Sequence, residues 1–92
     1  MYYNPIRFEK TIDRIYHLEV DIGRDDCNRE KAHWHLCERG RRIAQIFIDP
    51  VHYECVPCGV QQRVVNEALE LTECYSRDIR EAYLHNKVFG AA

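Results

Sequence analysis

Residues 16–22 alternate without a break: Tyr16, Leu18, Val20 and Ile22 are apolar, and His17, Glu19 and Asp21 between them are polar. A strand sends successive side chains to opposite faces, so this period of two predicts a half-buried β-strand, ended by Gly23. Residues 23–31 (GRDDCNREK) are polar and rich in turn formers, and read as a loop. A second alternation then sets Ala32, Trp34 and Leu36 against His33, His35 and Cys37. The first set faces a core, and the second lines up three potential metal ligands on the other face. Arg39-Gly40 is a tight turn, since glycine accepts positive φ. The return strand covers residues 43–48 (IAQIFI) and is closed by Asp49-Pro50, because proline has no N–H to give a ladder. Residues 6–12 and 53–56 are further short strand candidates.

After Pro57 the period changes. Val60, Val64, Ala68, Leu71, Tyr75, Ile79, Ala82 and Tyr83 recur at spacings of three or four, the mark of an amphipathic helix. No Gly or Pro interrupts residues 60–89. Ordinary helix lengths favour two helices over one, with a bend near residues 72–76. Ser76 is placed to cap the second helix, with Asp78 in its first turn. Strands followed by helices define an α+β domain: a small antiparallel sheet of three to four strands packed against two C-terminal helices.

The chain has 92 residues, enough for one modest core, so residues 1–92 are read as a single domain. Hydrophobic residues make up 46% and charged residues 30%, the balance of a globular protein. A formal charge of −2 supplies no global attraction to nucleic acid or membrane. The charge is uneven, however. Arg24, Arg29, Lys31, Arg39, Arg41 and Arg42 cluster in residues 24–42 against Asp25, Asp26, Glu30 and Glu38. Residues 67–81 carry Glu67, Glu70, Glu73, Asp78 and Glu81 against Arg77 and Arg80, most simply a solvated helix face. No run approaches the roughly 18 apolar residues of a membrane span. The first residues lack the basic and apolar regions of a secretory signal, so we expect a cytoplasmic protein. The five cysteines are an odd number, and in a reducing compartment free thiols are the expectation.

Three constellations carry chemistry. Cys55-Val56-Pro57-Cys58 has the spacing of half a zinc site, with His33, His35, Cys37, Cys27 and His52 as available partners. No second close pair accompanies it, and Cys55 and Cys58 read equally as small buried hydrophobes. We therefore expect neither a metal nor a cofactor. His33 and His35, beside Arg41 and Arg42, have the side chains of a ribonuclease acid–base pair, but no complete catalytic motif stands with them. The basic turn is the third. Arginine forks suit phosphates and carboxylates, so Arg24, Arg29, Lys31, Arg39, Arg41 and Arg42 are the expected partner-binding residues.

The run His33-Trp34-His35-Leu36, then Gly40, then Ala44-Gln45-Ile46-Phe47-Ile48 and a helical C-terminal third, resembles a family of small prokaryotic proteins of unknown function. That resemblance spans residues 15–88. Lys31-Ala32 replaces the family's usual Pro-Pro, and Cys55-x-x-Cys58 has no counterpart in it. It implies a link to toxin–antitoxin-like gene pairs and carries over no catalytic residue. By type alone, as a short single domain without an enzyme motif, the chain also resembles phage anti-CRISPR inhibitors. The expected function is that of a non-enzymatic interaction protein, encoded by a phage or mobile element. It would bind a host nucleic-acid-handling complex, protein or ribonucleoprotein, touch RNA phosphates through the basic turn, and block the complex. The alternatives are a toxin–antitoxin-type ribonuclease using His33 and His35, and a zinc-stabilised adaptor.

Overall fold

The two alternating stretches become neighbouring central strands. The computed structural model describes residues 4–23, 31–54 and 59–89. Its strands are β1 (Glu9–Thr11), β2 (Tyr16–Glu19), β3 (His33–Glu38), β4 (Arg41–Ile48) and β5 (Val51–Glu54), followed by helices α1 (Gln62–Cys74) and α2 (Ser76–Phe89). All neighbours pair antiparallel in chain order, β1-β2-β3-β4-β5, a simple meander. The α+β class and the two helices agree with the sequence pattern. The sheet has five strands rather than three to four, because both short candidates pair at its edges. The second of these starts before residue 53: Asp49 and Pro50 form the whole turn, so β5 begins at Val51, and residues 55 and 56 of that candidate lie outside the described residues.

One face of the sheet carries Tyr16, Leu18, Val20, Trp34, Leu36, Ala44, Ile46 and Ile48 against Val64, Ala68, Ile79, Ala82 and Tyr83 of the helices. Each fully buried aliphatic side chain in such a core contributes about 1.5–3 kcal/mol. Trp34 is completely buried, and its indole N–H donates to Thr72 Oγ1 at 2.9 Å. The Thr72 hydroxyl in turn donates to the Ala68 carbonyl at 2.7 Å. The helical run bends at Tyr75 (φ −110°, ψ 21°), where the Tyr75 N–H still reaches Leu71 O and Ile79 N–H still reaches Tyr75 O. Chain direction changes there with little loss of backbone bonding. Further along α2, buried Asn86 donates to the carbonyls of Ile6 and Asp21 and accepts the Ile6 N–H. It clips the N-terminal segment and the end of β2 to the helix. Among the described residues, no helix is long and apolar enough to cross a membrane.

Candidate functional site: a polar sheet face and a basic edge

Alternation leaves His17, Glu19 and Asp21 from β2 and its end, and His33, His35 and Cys37 from β3, off the core face. Register then pairs them across the ladder, His17 opposite Cys37 and Glu19 opposite His35. A bulge adds one more side chain. Leu36 faces Ala44 but Cys37 faces Arg42, so Ile43 is the extra residue. Ala44 keeps its place in the core while Arg42 is turned onto the polar face.

The Arg42 guanidinium pairs with Asp21 Oδ1, and His35 Nε2 stands 3.4 Å from Asp21 Oδ2. Burial pushes the Asp21 carboxyl up, but the His35 imidazole beside it and the Arg42 charge outweigh this and hold it below the usual carboxylate range. Alongside, the Cys37 thiol donates to Glu19 Oε1 at 3.1 Å, and His17 Nε2 lies 3.3 Å from the same oxygen. Burial likewise raises Glu19, and the bonds from Cys37 and His17 bring it below its ordinary value. The buried thiol moves the other way, pushed up to about 12 by burial and then by the Glu19 bond and charge. A thiol so placed stays protonated at neutral pH and is no nucleophile.

His33 and His35 do face the same way, as the alternation predicts, but neither is open to a polymer. His33 is 2% exposed and His35 6%. The His33 ring meets the rings of His35, Phe47 and Tyr83 at 5.2, 5.3 and 5.1 Å, and its Nδ1 sits 2.9 Å from Lys31 O. His52, a partner considered for zinc, is exposed and stacks on Phe47. Cys27, Cys55 and Cys58 lie outside the described residues.

The basic residues divide by position. Arg39 and Gly40 both take positive φ (51° and 82°), the two-residue hairpin turn that the right-handed strand twist prefers. Arg39 and Arg41 are exposed at this turn, whereas the Arg42 guanidinium is engaged by Asp21. Lys31 is exposed at the other end of β3, roughly 20 Å away for six residues of strand. Arg24 and Arg29 lie outside the described residues.

In place of Lys31, the turn gains Arg14. The Arg39 N–H donates to Ile15 O at 2.7 Å, which sets the β1–β2 turn beside the hairpin tip. Arg14 and Arg39 line a shallow cleft of about 310 Å³ with Lys10, Asp13 and His17. Asp13 is already occupied: its Oδ1 accepts the N–H groups of Ile15 and Tyr16 at 3.0 Å, and its Oδ2 accepts from Arg63 at 3.2 Å. Glu38 accepts the Tyr16 hydroxyl at 2.8 Å. Asp13 and Glu38 are thus bound locally, exposed Glu9 also lines the cleft, and Arg14, Arg39 and Arg41 are exposed. Sequence reasoning missed Arg14, because only the fold makes residues 14 and 39 neighbours.

Compared with protein-family models, with curated proteins and with solved structures, the chain matches none.

Proposed function

We propose that this protein is a non-enzymatic interaction protein that docks through the arginine-bearing edge of its sheet onto a nucleic-acid-handling complex and blocks it. The observation that carries this reading is the convergence of Arg14, Arg39 and Arg41 on one exposed edge, with Asp13 and Glu38 engaged by other side chains. Guanidinium forks pair two N–H groups at once with phosphates or carboxylates, and the two-residue turn already fixes the backbone that carries Arg39, so binding orders side chains rather than the loop. The ribonuclease alternative is weakened by the burial of His33 and His35, since general acids and bases must reach the proton they move. A phage or mobile-element origin, as for anti-CRISPR inhibitors, belongs to the same proposal, as does a cytoplasmic site of action.

The test is affinity capture from the native host, with wild type compared against a chain carrying Arg14→Glu, Arg39→Glu and Arg41→Glu. The proposal expects a nucleic-acid-bound complex that the wild type retains and the charge-reversed chain loses. An unchanged set of captured partners would remove the docking edge from the account.

A further inference from the structure

We infer that His17, Glu19 and Cys37 form a zinc-binding site on the polar face of the sheet. Each offers one ligand atom within 4.8 Å of the other two, and Glu19 Oε1 lies 3.3 Å from His17 Nε2 and 3.1 Å from Cys37 Sγ. Tetrahedral zinc with bonds of about 2.0–2.3 Å separates its ligand atoms by about 3.3–3.8 Å. Small side-chain rotations are enough to bring all three around one ion.

The scaffold and the charge both suit the ion. The ligands stand on β2 and β3, two paired strands inside the sheet, with His17 directly opposite Cys37. Strand-borne ligands are held more firmly than loop-borne ones. A thiolate and a carboxylate together cancel the charge of Zn²⁺, and neutral imidazole adds none, so the filled site buries no net charge. On binding, the proton that Cys37 now donates to Glu19 leaves to solvent and the sulfur takes the metal. A sulfur–nitrogen–oxygen set selects zinc over magnesium or calcium, which take oxygen ligands. The side chains of His17 and Glu19 are each 29% exposed, which gives the ion a route in and leaves a fourth position for water.

This is not the zinc half-site that the sequence displays at Cys55 and Cys58. Its ligands come from two strands, with Cys37 18 positions from Glu19, and register alone joins them.

Zinc bound per chain, by metal analysis after gel filtration, and zinc affinity, by competition with a chromophoric chelator, test the site on the full chain. The wild type should hold an ion that His17→Ala and Cys37→Ser lose, while Cys55→Ser with Cys58→Ser leaves that ion in place. Losing an outer partner of a metal ligand costs 10–100-fold in affinity, so losing a ligand should cost about 100-fold or more. His17 is partly exposed, so His17→Ala decides the matter even where Cys37→Ser disturbs the buried position. The inference is overturned if the wild type binds no zinc, or if folded His17→Ala, checked by circular dichroism, binds as much zinc as tightly as its parent.

Discussion

Trp34 ties sheet to helices with one hydrogen bond inside an apolar core, and that bond has a measurable value. Thr72→Val keeps the shape of the side chain but leaves the indole N–H buried without its acceptor. The expected cost is about 1–3 kcal/mol, read by urea unfolding, with Thr72→Ser closer to wild type because it keeps the hydroxyl. Cysteine reactivity gives a second residue-scale expectation. With its thiol at about 12 and fully buried, Cys37 should resist alkylation in the native, metal-free protein at neutral pH, while exposed Cys74 reacts at once. Mass spectrometry of a timed labelling series would show the order, and early modification of Cys37 would contradict its placement. The alternation of residues 32–37 already told which side chains face the core. It left open what His33, His35 and Cys37 touch, because contacts such as Cys37 with Glu19 and His33 with Tyr83 depend on strand register and helix placement.

Among the elements, the β3–β4 hairpin does most to set the working surfaces. Its two-residue turn was legible, since Gly40 tolerates a φ of 82° that other residues resist. Gly40→Val should cost about 1–2 kcal/mol, the usual price of a left-handed conformation for a residue with a Cβ. The thermal midpoint should fall accordingly, and an unchanged midpoint would mean that the turn is remodelled. The bulge at Ile43 was not legible. The run from Ile43 to Ile48 fits an unbroken strand as well as a bulged one, and only pairing with β3 shows Arg42 sharing a face with Cys37. That detail changes the function argued for Arg42: it holds Asp21 within the polar face, whereas Arg39 and Arg41 project from the turn. The helical bend was foreseeable from length and lies at Tyr75, where the periodicity carries through into α2.

At the scale of the whole molecule, titration on both sides of neutrality works against the fold: protonation in acid and ionisation in base. Asp13 is held below its ordinary value of 3.8, first by its bond to the Ile15 N–H and further by Arg63. The unfolded chain therefore takes up this proton first, and stability falls as pH drops through the ordinary carboxylate range. Burial raises Tyr53 from 10.0 to about 12. The folded chain keeps a proton that the unfolded chain releases, so stability also falls as pH rises between those values. Denaturant midpoints across pH should fall at both ends, and Asp13→Asn should make the acid limb shallower, with Glu19 and Asp21 keeping the rest of it, while leaving the alkaline limb unchanged. The cluster of six cations in the sequence does not survive as one patch among the described residues, since Lys31 and the hairpin tip lie at opposite ends of β3. Among the described residues, Arg39 and Arg41 at that tip are joined by Arg14, and the account rests on that edge. The most direct test is the salt dependence of binding to the captured complex, wild type against the Arg14→Glu, Arg39→Glu and Arg41→Glu chain. Each phosphate contact contributes about 0.7–0.9 to the slope of log affinity against log salt. The account predicts a slope shallower by about 2 or more in the charge-reversed chain, together with weaker binding. Equal slopes and equal affinities in the two chains would contradict it.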